Sequence, residues 1–260
     1  MTYIIAEIGV NHDGDVNRAM KLIDIAKLQG ADAAKFQLFN AKTCKGPMRK
    51  VLEPLELMEI QHRALKQHCD DIGIDYLASV FDDDMLEFAV SLGVDALKIG
   101  SGELTNKPLL EEARSSGLEV ILSTGMSTLD EIGEALDILG QEKMTLLHCV
   151  SAYPCAINDA NLRCITKLRE IFRVPVGYSD HTEGTMAACA AVALGACVIE
   201  KHMTDDFTRN GPDHRMSIEP AMFGAMVRAI RNTEAMLGDG EKVIGEHELS
   251  TRQRATGRWS

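Results

Sequence analysis

Residues 174–202 read VPVGYSDHTEGTMAACAAVALGACVIEKH, and this stretch decides the fold. Val174 to Tyr178 and Cys197 to Lys201 are short runs rich in β-branched residues, each expected as a strand. Between them Gly184 to Gly195 is small and apolar, as a helix packed closely on a sheet requires. Strand, helix and strand in this order form a crossover unit with parallel strands. His181 follows the first strand and His202 the second, so both imidazoles are expected at the same carboxyl-terminal edge. Side by side they can share a metal ion, with Asp180, Glu200 and Asp213 nearby as oxygen ligands or bases. The plain alternative is two unrelated loop histidines, but matched positions on successive parallel strands favour the metal.

The same alternation runs through the chain. Tyr3–Ile8, Ala33–Leu38, Asp75–Phe81, Ala96–Ile99, Glu119–Leu122 and Met144–His148 read as six earlier strands. Helical stretches separate them: Asp15 caps one that runs to Leu28, and others span Pro54–Asp70, Asp83–Leu92, Lys107–Ser115, Leu129–Leu139 and Asn161–Phe172. Pro220–Leu237 closes the series. Eight strand–helix units with right-handed crossovers predict one α/β domain, a (β/α)8 TIM barrel, and 260 residues suit a fold that needs about 250. An open doubly wound sheet is the alternative, but no GxGxxG fingerprint or switch point marks one. The barrel is expected over residues 1–240, with a tail over 241–260 that lacks a fixed fold.

Composition narrows the function. A net charge of −12 argues against nucleic acid or an anionic membrane as partner, because both need a positive face. The seven cysteines form no CxxC pair and read as reduced thiols, and the N-terminus has no basic leader, so a cytoplasmic protein is expected.

Function in a barrel of this kind sits on the carboxyl-terminal rim. There the sequence places Asn11-His12, Lys35 and Gln37, Ser79, Lys98 with Ser101 and Glu103, and Ser123-Thr124. Ser151 and Tyr153, then Ser179-Asp180-His181 and Glu200-Lys201-His202, complete the circuit. Hydroxyls and two lysines on one rim suit a phosphate plus a carboxylate. Lys35 and Lys98 could instead form Schiff bases, as in aldolases. Glu7, a carboxylate inside an apolar strand, needs a partner, and a polar loop carrying Lys42, Lys45, Arg49 and Lys50 follows the second strand.

Eight motifs in register, IAEIGVNHDG, ADAAKFQ, LKIGSGEL, VILSTGMSTLDEI, LLHCVSAYP, VGYSDHT, LGACVIEKHMT and GPDHRMSIEP, resemble the N-acetylneuraminate (sialic acid) synthase family. The resemblance implies a barrel enzyme that condenses phosphoenolpyruvate with the open-chain form of N-acetylmannosamine or a related aldose. The products would be phosphate and a 3-deoxy-2-keto sugar acid. It also implies a divalent metal, Mn2+ first with Mg2+ or Co2+ as substitutes, on His181 and His202, and a homo-oligomer, most simply a dimer. By the same resemblance Lys35, Ser79, Lys98, Ser101, Ser123, Ser151 and Ser179 bind phosphoenolpyruvate. Tyr153 and Asp213 meet the acceptor, and Glu7, Gln37, Glu103 and Glu200 are further active-site polar positions. Glu7 is expected to handle a proton or to serve only as the partner of Lys35. The family's STPF after strand three is here Ala78-Ser79-Val80-Phe81, and its Thr-Pro after Tyr153-Pro154 is Cys155-Ala156. No counterpart of the family's antifreeze-like C-terminal domain, which lends an arginine to a neighbouring sugar site, is read in residues 241–260. Arg252, Arg254 and Arg258 are candidates to stand in for it. A synthase of another 3-deoxy-ulosonic acid and a non-catalytic sugar- or phosphate-binding barrel remain as alternatives.

Overall fold

Eight strands pair in sequence order and the last returns to the first: β1 Tyr3–Gly9, β2 Ala33–Leu38, β3 Asp75–Val80, β4 Ala96–Ile99, β5 Glu119–Ser123, β6 Met144–His148, β7 Val176–Asp180 and β8 Val198–His202. Every pairing is parallel, the closing β1–β8 pair included, so the computed structural model is the closed barrel that the sequence predicts. It describes residues 1–44 and 46–256; Lys45 and Arg258 lie outside the described residues. The helices are α1 Val16–Leu28, α2 Met48–Leu52, α3 Glu59–Ile72, α4 Asp83–Ser91, α5 Lys107–Ser115, α6 Leu129–Leu139, α7 Arg163–Phe172, α8 Met186–Ala193, α9 Pro220–Leu237 and α10 Glu246–Thr256.

The two-residue period of a strand explains how the barrel becomes a site. Outward positions such as Ile4, Ala34, Phe36, Leu97, Leu146 and Tyr178 join the apolar layer under the helices. Inward positions form two tiers. Ile5, Ala33, Leu77, Ala96, Ile121, Leu147 and Val198 pack together as an apolar plug. Two residues further along every one of those strands stand Glu7, Lys35, Ser79, Lys98, Ser123, Cys149 and Glu200, which face the open cavity. On β7 the same step leads from Gly177 to Ser179. The change from apolar to polar along each strand is therefore the change from plug to floor.

Gly177 shows how tightly the plug is filled. A Cβ there would lie 2.5 Å from the Val198 carbonyl oxygen and 2.7 Å from Leu147 Cδ2. The first of these is backbone and cannot rotate away. Gly177→Ala is expected to destabilise the barrel by about 1–3 kcal/mol, read as a lower denaturant midpoint; an unchanged midpoint would mean that the plug has room.

Two helical stretches differ from expectation. The helix placed over Pro54–Asp70 begins at Glu59, and Pro54 lies instead in a short 3-10 turn, Glu53–Leu55, after α2. That turn packs on the β1–α1 loop, where a Cβ on Gly14 would sit 2.3 Å from the Pro54 carbonyl oxygen, so contact rather than propensity fixes its shape. The tail carries a helix, α10, although all of its side chains are exposed. Among the described residues no helix is long and apolar enough to cross a membrane.

Candidate active site

The carboxyl-terminal ends of the strands enclose a cavity of about 310 Å³. Lys35 is the hub of its floor. Its Nζ lies 2.7 Å from Glu7 Oε2 and 3.4 Å from Glu200 Oε2, and donates to Ser79 Oγ at 2.8 Å. Glu200 Oε1 accepts from Ser179 Oγ at 2.8 Å, and Gln37 donates to Glu7 Oε1 at 3.3 Å. Lys98 is placed differently: its Nζ donates to Ser123 Oγ at 2.7 Å and the Ile99 carbonyl at 3.2 Å. Among the described residues no carboxylate pairs with it.

Burial and neighbouring charge divide the roles of these groups. Burial, reinforced by Glu200 and only partly offset by Lys35, lifts Glu7 to about 7. Glu200 resists the same burial because Lys35, Lys98 and the Ser179 hydroxyl hold its carboxyl down at about 2. Burial works against the charge on Lys35 too, but Glu200 and Glu7 outweigh it and raise its pKa. An amine held protonated is a poor Schiff-base nucleophile. Burial lowers the pKa of Lys98, with Lys35 adding to the effect and Glu200 opposing it.

Beside the lysines lies a cradle of small groups. The Gly125 amide donates to Ser101 Oγ at 3.0 Å, and that oxygen is 3.2 Å from Cys149 Sγ. A Cβ on Gly125 would stand 2.3 Å from Ser151 Oγ and 2.9 Å from Ser101 Oγ, so glycine alone lets the backbone approach these hydroxyls.

Across the cavity the rings of His181 and His202 have centroids 5.7 Å apart. His181 Nδ1 lies 2.8 Å from the Val150 carbonyl oxygen. A carbonyl can only accept, so Nδ1 carries the proton and Nε2 keeps its lone pair. Among the described residues the buried His202 Nδ1 has no hydrogen-bond partner, and it lies 3.8 Å from Asp213 Oδ2. Burial lowers the pKa of both rings, and the proximity of His181 lowers that of His202 further, so both are neutral near pH 7. The Tyr153 ring covers His181 at 4.3 Å. Among the described residues no group of three or more His, Cys, Asp or Glu side chains converges to hold a metal ion. Two neutral imidazoles side by side, one of them with an orphaned buried nitrogen, nevertheless fit a divalent cation as nitrogen ligands.

Of the residues that the family resemblance assigns to the site, all but Glu103 and Asp213 line this cavity. Asp213 stands at its edge beside His202, and Glu103 accepts from Asn106 at 2.7 Å. Residues 22–242 match the NeuB family. The chain belongs to the NeuB family. An N,N'-diacetyllegionaminic acid synthase of Legionella pneumophila is 42% identical, over 96% of this chain and 77% of that protein. The human N-acetylneuraminate-9-phosphate synthase is 36% identical, over 97% of this chain and 76% of its own length. A crystal structure of an N-acetylneuraminic acid synthetase from Leptospira borgpetersenii, in complex with citrate, superposes with a TM-score of 0.91 at 37% identity, covering 99% of this chain and 92% of that one. Membership makes this NeuB-family chain an enzyme, a transferase of the sialic-acid-type synthase kind.

Several rim assignments are corrected by the structure. Asp180 and Lys201 do not face the cavity: they form a wholly buried ion pair of 2.9 Å on the outer side of the sheet. Asn11 donates to the Met203 carbonyl and to Ser217, tying β1 to the β8 loop, and His12 packs near Phe36 at 6.1 Å. Thr124 donates its hydroxyl to the Leu147 carbonyl. The sequence reading missed Cys149 on the floor, although it lies two residues beyond the plug residue Leu147 and so shares the inward phase. It also missed Phe81 and Met126, which wall the mouth. Met126 adopts a positive φ of 61°, which nothing in its residue type announces.

Proposed function

We propose that this enzyme condenses phosphoenolpyruvate with the open-chain form of an acylamino aldose, N-acetylmannosamine or a related sugar, yielding a 3-deoxy-2-keto sugar acid and phosphate. The observation that carries the reading is one cavity holding two buried lysines, a ring of hydroxyls and two neutral histidines, in a member of the NeuB family. Lys98, Lys35 and Ser123 take the negative charges of phosphoenolpyruvate, and the Gly125 cradle receives anionic oxygens through Ser101 and Ser151. The acceptor aldehyde lies toward His181, His202 and Tyr153, with Asp213 beside it to orient a hydroxyl or an imidazole. A divalent cation held by His181 and His202, Mn2+ by preference with Mg2+ or Co2+ as substitutes, would supply Lewis acidity at the aldehyde oxygen. The C2–C3 π electrons of phosphoenolpyruvate form the new bond from C3 to the aldehyde carbon, and the aldehyde oxygen takes up a proton to become a hydroxyl. Water adds at C2, and phosphate departs by cleavage of the C–O bond. Glu7, with its raised pKa and its place beside Lys35, takes the proton of that water.

Phosphate release from phosphoenolpyruvate, followed with Mn2+ against a panel of aldoses, tests the reaction. Release that depends on one acylamino aldose is expected, whereas none with any aldose would leave a binding barrel instead. Calorimetric titration with Mn2+ tests the histidines separately. His202→Ala is expected to lose binding while keeping its fold, and unchanged affinity would remove His202 from the cation site.

A further inference from the structure

Lys201 is the one lysine among the described residues with no exposed surface at all, and the chemistry above does not use it. Its Nζ donates to Asp180 Oδ2 at 2.9 Å and to the Thr182 carbonyl oxygen. Asp180 Oδ1 in turn accepts from the Thr182 amide at 2.9 Å and from its hydroxyl at 2.7 Å. The residues so joined are particular ones. Asp180 and Thr182 flank His181, and Lys201 precedes His202. Asp180 and Lys201 are also the last register pair of β7 and β8, so among the described residues no ladder holds the two strands together beyond them. Because side chains alternate, the clamp lies behind the sheet while both imidazoles lie in front of it.

We infer that Lys201, through Asp180 and Thr182, is a positioning residue that fixes the spacing of His181 and His202. This rests on the reading of those histidines as a cation site. Energetics supply the reason. A buried ion pair is on balance a poor source of stability, and well-packed apolar residues often replace one without loss. What apolar residues cannot reproduce is direction. The four contacts above set the position of the backbone on both sides of His181 relative to the residue next to His202. Partners that orient metal ligands in this indirect way typically control affinity by about 10- to 100-fold.

The test separates position from stability. In Asp180→Leu/Thr182→Val/Lys201→Met all three groups become apolar at similar volume, and the melting temperature reports whether the barrel survives. Mn2+ affinity is expected to fall about 10- to 100-fold by calorimetry, while phosphoenolpyruvate affinity measured in a chelator stays within about twofold. Asp180→Asn keeps the shape and one acceptor oxygen; it serves if the triple variant does not fold, and its Mn2+ affinity is expected to fall measurably while its phosphoenolpyruvate affinity does not. Unchanged Mn2+ affinity in a folded variant would overturn the inference, and so would an equal loss of both ligands. Absence of Mn2+ binding to the parent protein would remove the cation reading itself, which the parental titration reports before any variant is made.

Discussion

Lys98→Met is expected to weaken phosphoenolpyruvate binding by about 2–4 kcal/mol, roughly 30- to 1,000-fold, with little loss of stability. The two floor lysines differ in what already neutralises them. Lys35 sits between Glu7 and Glu200 at 2.7 and 3.4 Å, so much of its charge is balanced before a ligand arrives. Among the described residues Lys98 bonds only to a hydroxyl and a carbonyl, and burial makes its charge costly until an anion comes. Methionine has nearly the same length and leaves Ser123 Oγ able to turn toward another partner. Lys35→Met should instead lose stability as well as binding, because it leaves two buried carboxylates unpaired, a change of about 3–5 kcal/mol for a broken buried pair. Calorimetry with phosphoenolpyruvate and urea denaturation of both variants decide this. Equal affinity of Lys98→Met and the parent would remove Lys98 from the anion site, and a borohydride-trapped adduct on Lys98 would replace charge pairing with Schiff-base chemistry.

The barrel was legible in the sequence because its signals are periodic. Short β-branched runs recur between amphipathic stretches, and the count of eight closes the sheet. Most of the floor was legible for the same reason: a lysine or glutamate inside an apolar strand has few places to point except into the cavity, as Glu7, Lys35, Lys98 and Glu200 do. The inward or outward phase of a side chain is lost when its strand is ended too early. With β7 ended at Tyr178, Ser179, Asp180 and His181 looked like loop residues of one rim, whereas the strand continues to Asp180 and keeps its alternation. Ser179 therefore faces the cavity and Asp180 the helices. Lys201 was misplaced by the same neglect of phase. The partner of Glu103 and the conformation of Met126 were out of reach, because each depends on a loop contact rather than on a period.

On the proposed reading Glu7 takes the proton of the attacking water, and Glu7→Gln is then expected to lower kcat by about 10²- to 10⁴-fold. Gln keeps the volume and can still accept from Lys35 or Gln37, so the barrel should hold. The charge balance separates two roles. If Glu7 merely neutralised Lys35, its removal would leave the cavity more positive, and phosphoenolpyruvate would bind more tightly at unchanged kcat. If Glu7 takes a proton, kcat falls whatever happens to the Michaelis constant. The pH profile adds an independent check. Burial raises Glu7 to about 7, and a base acts only when ionised, so kcat/KM should rise with pH through an acid limb near that value. A divalent cation on the two histidines would favour the carboxylate and move the limb lower, so the limb should shift downward from a weakly saturating to a saturating cation concentration. In Glu7→Gln the limb should disappear from the residual activity. An acid limb that persists unchanged in this variant would assign the titration to another group and leave Glu7 as the counter-charge of Lys35.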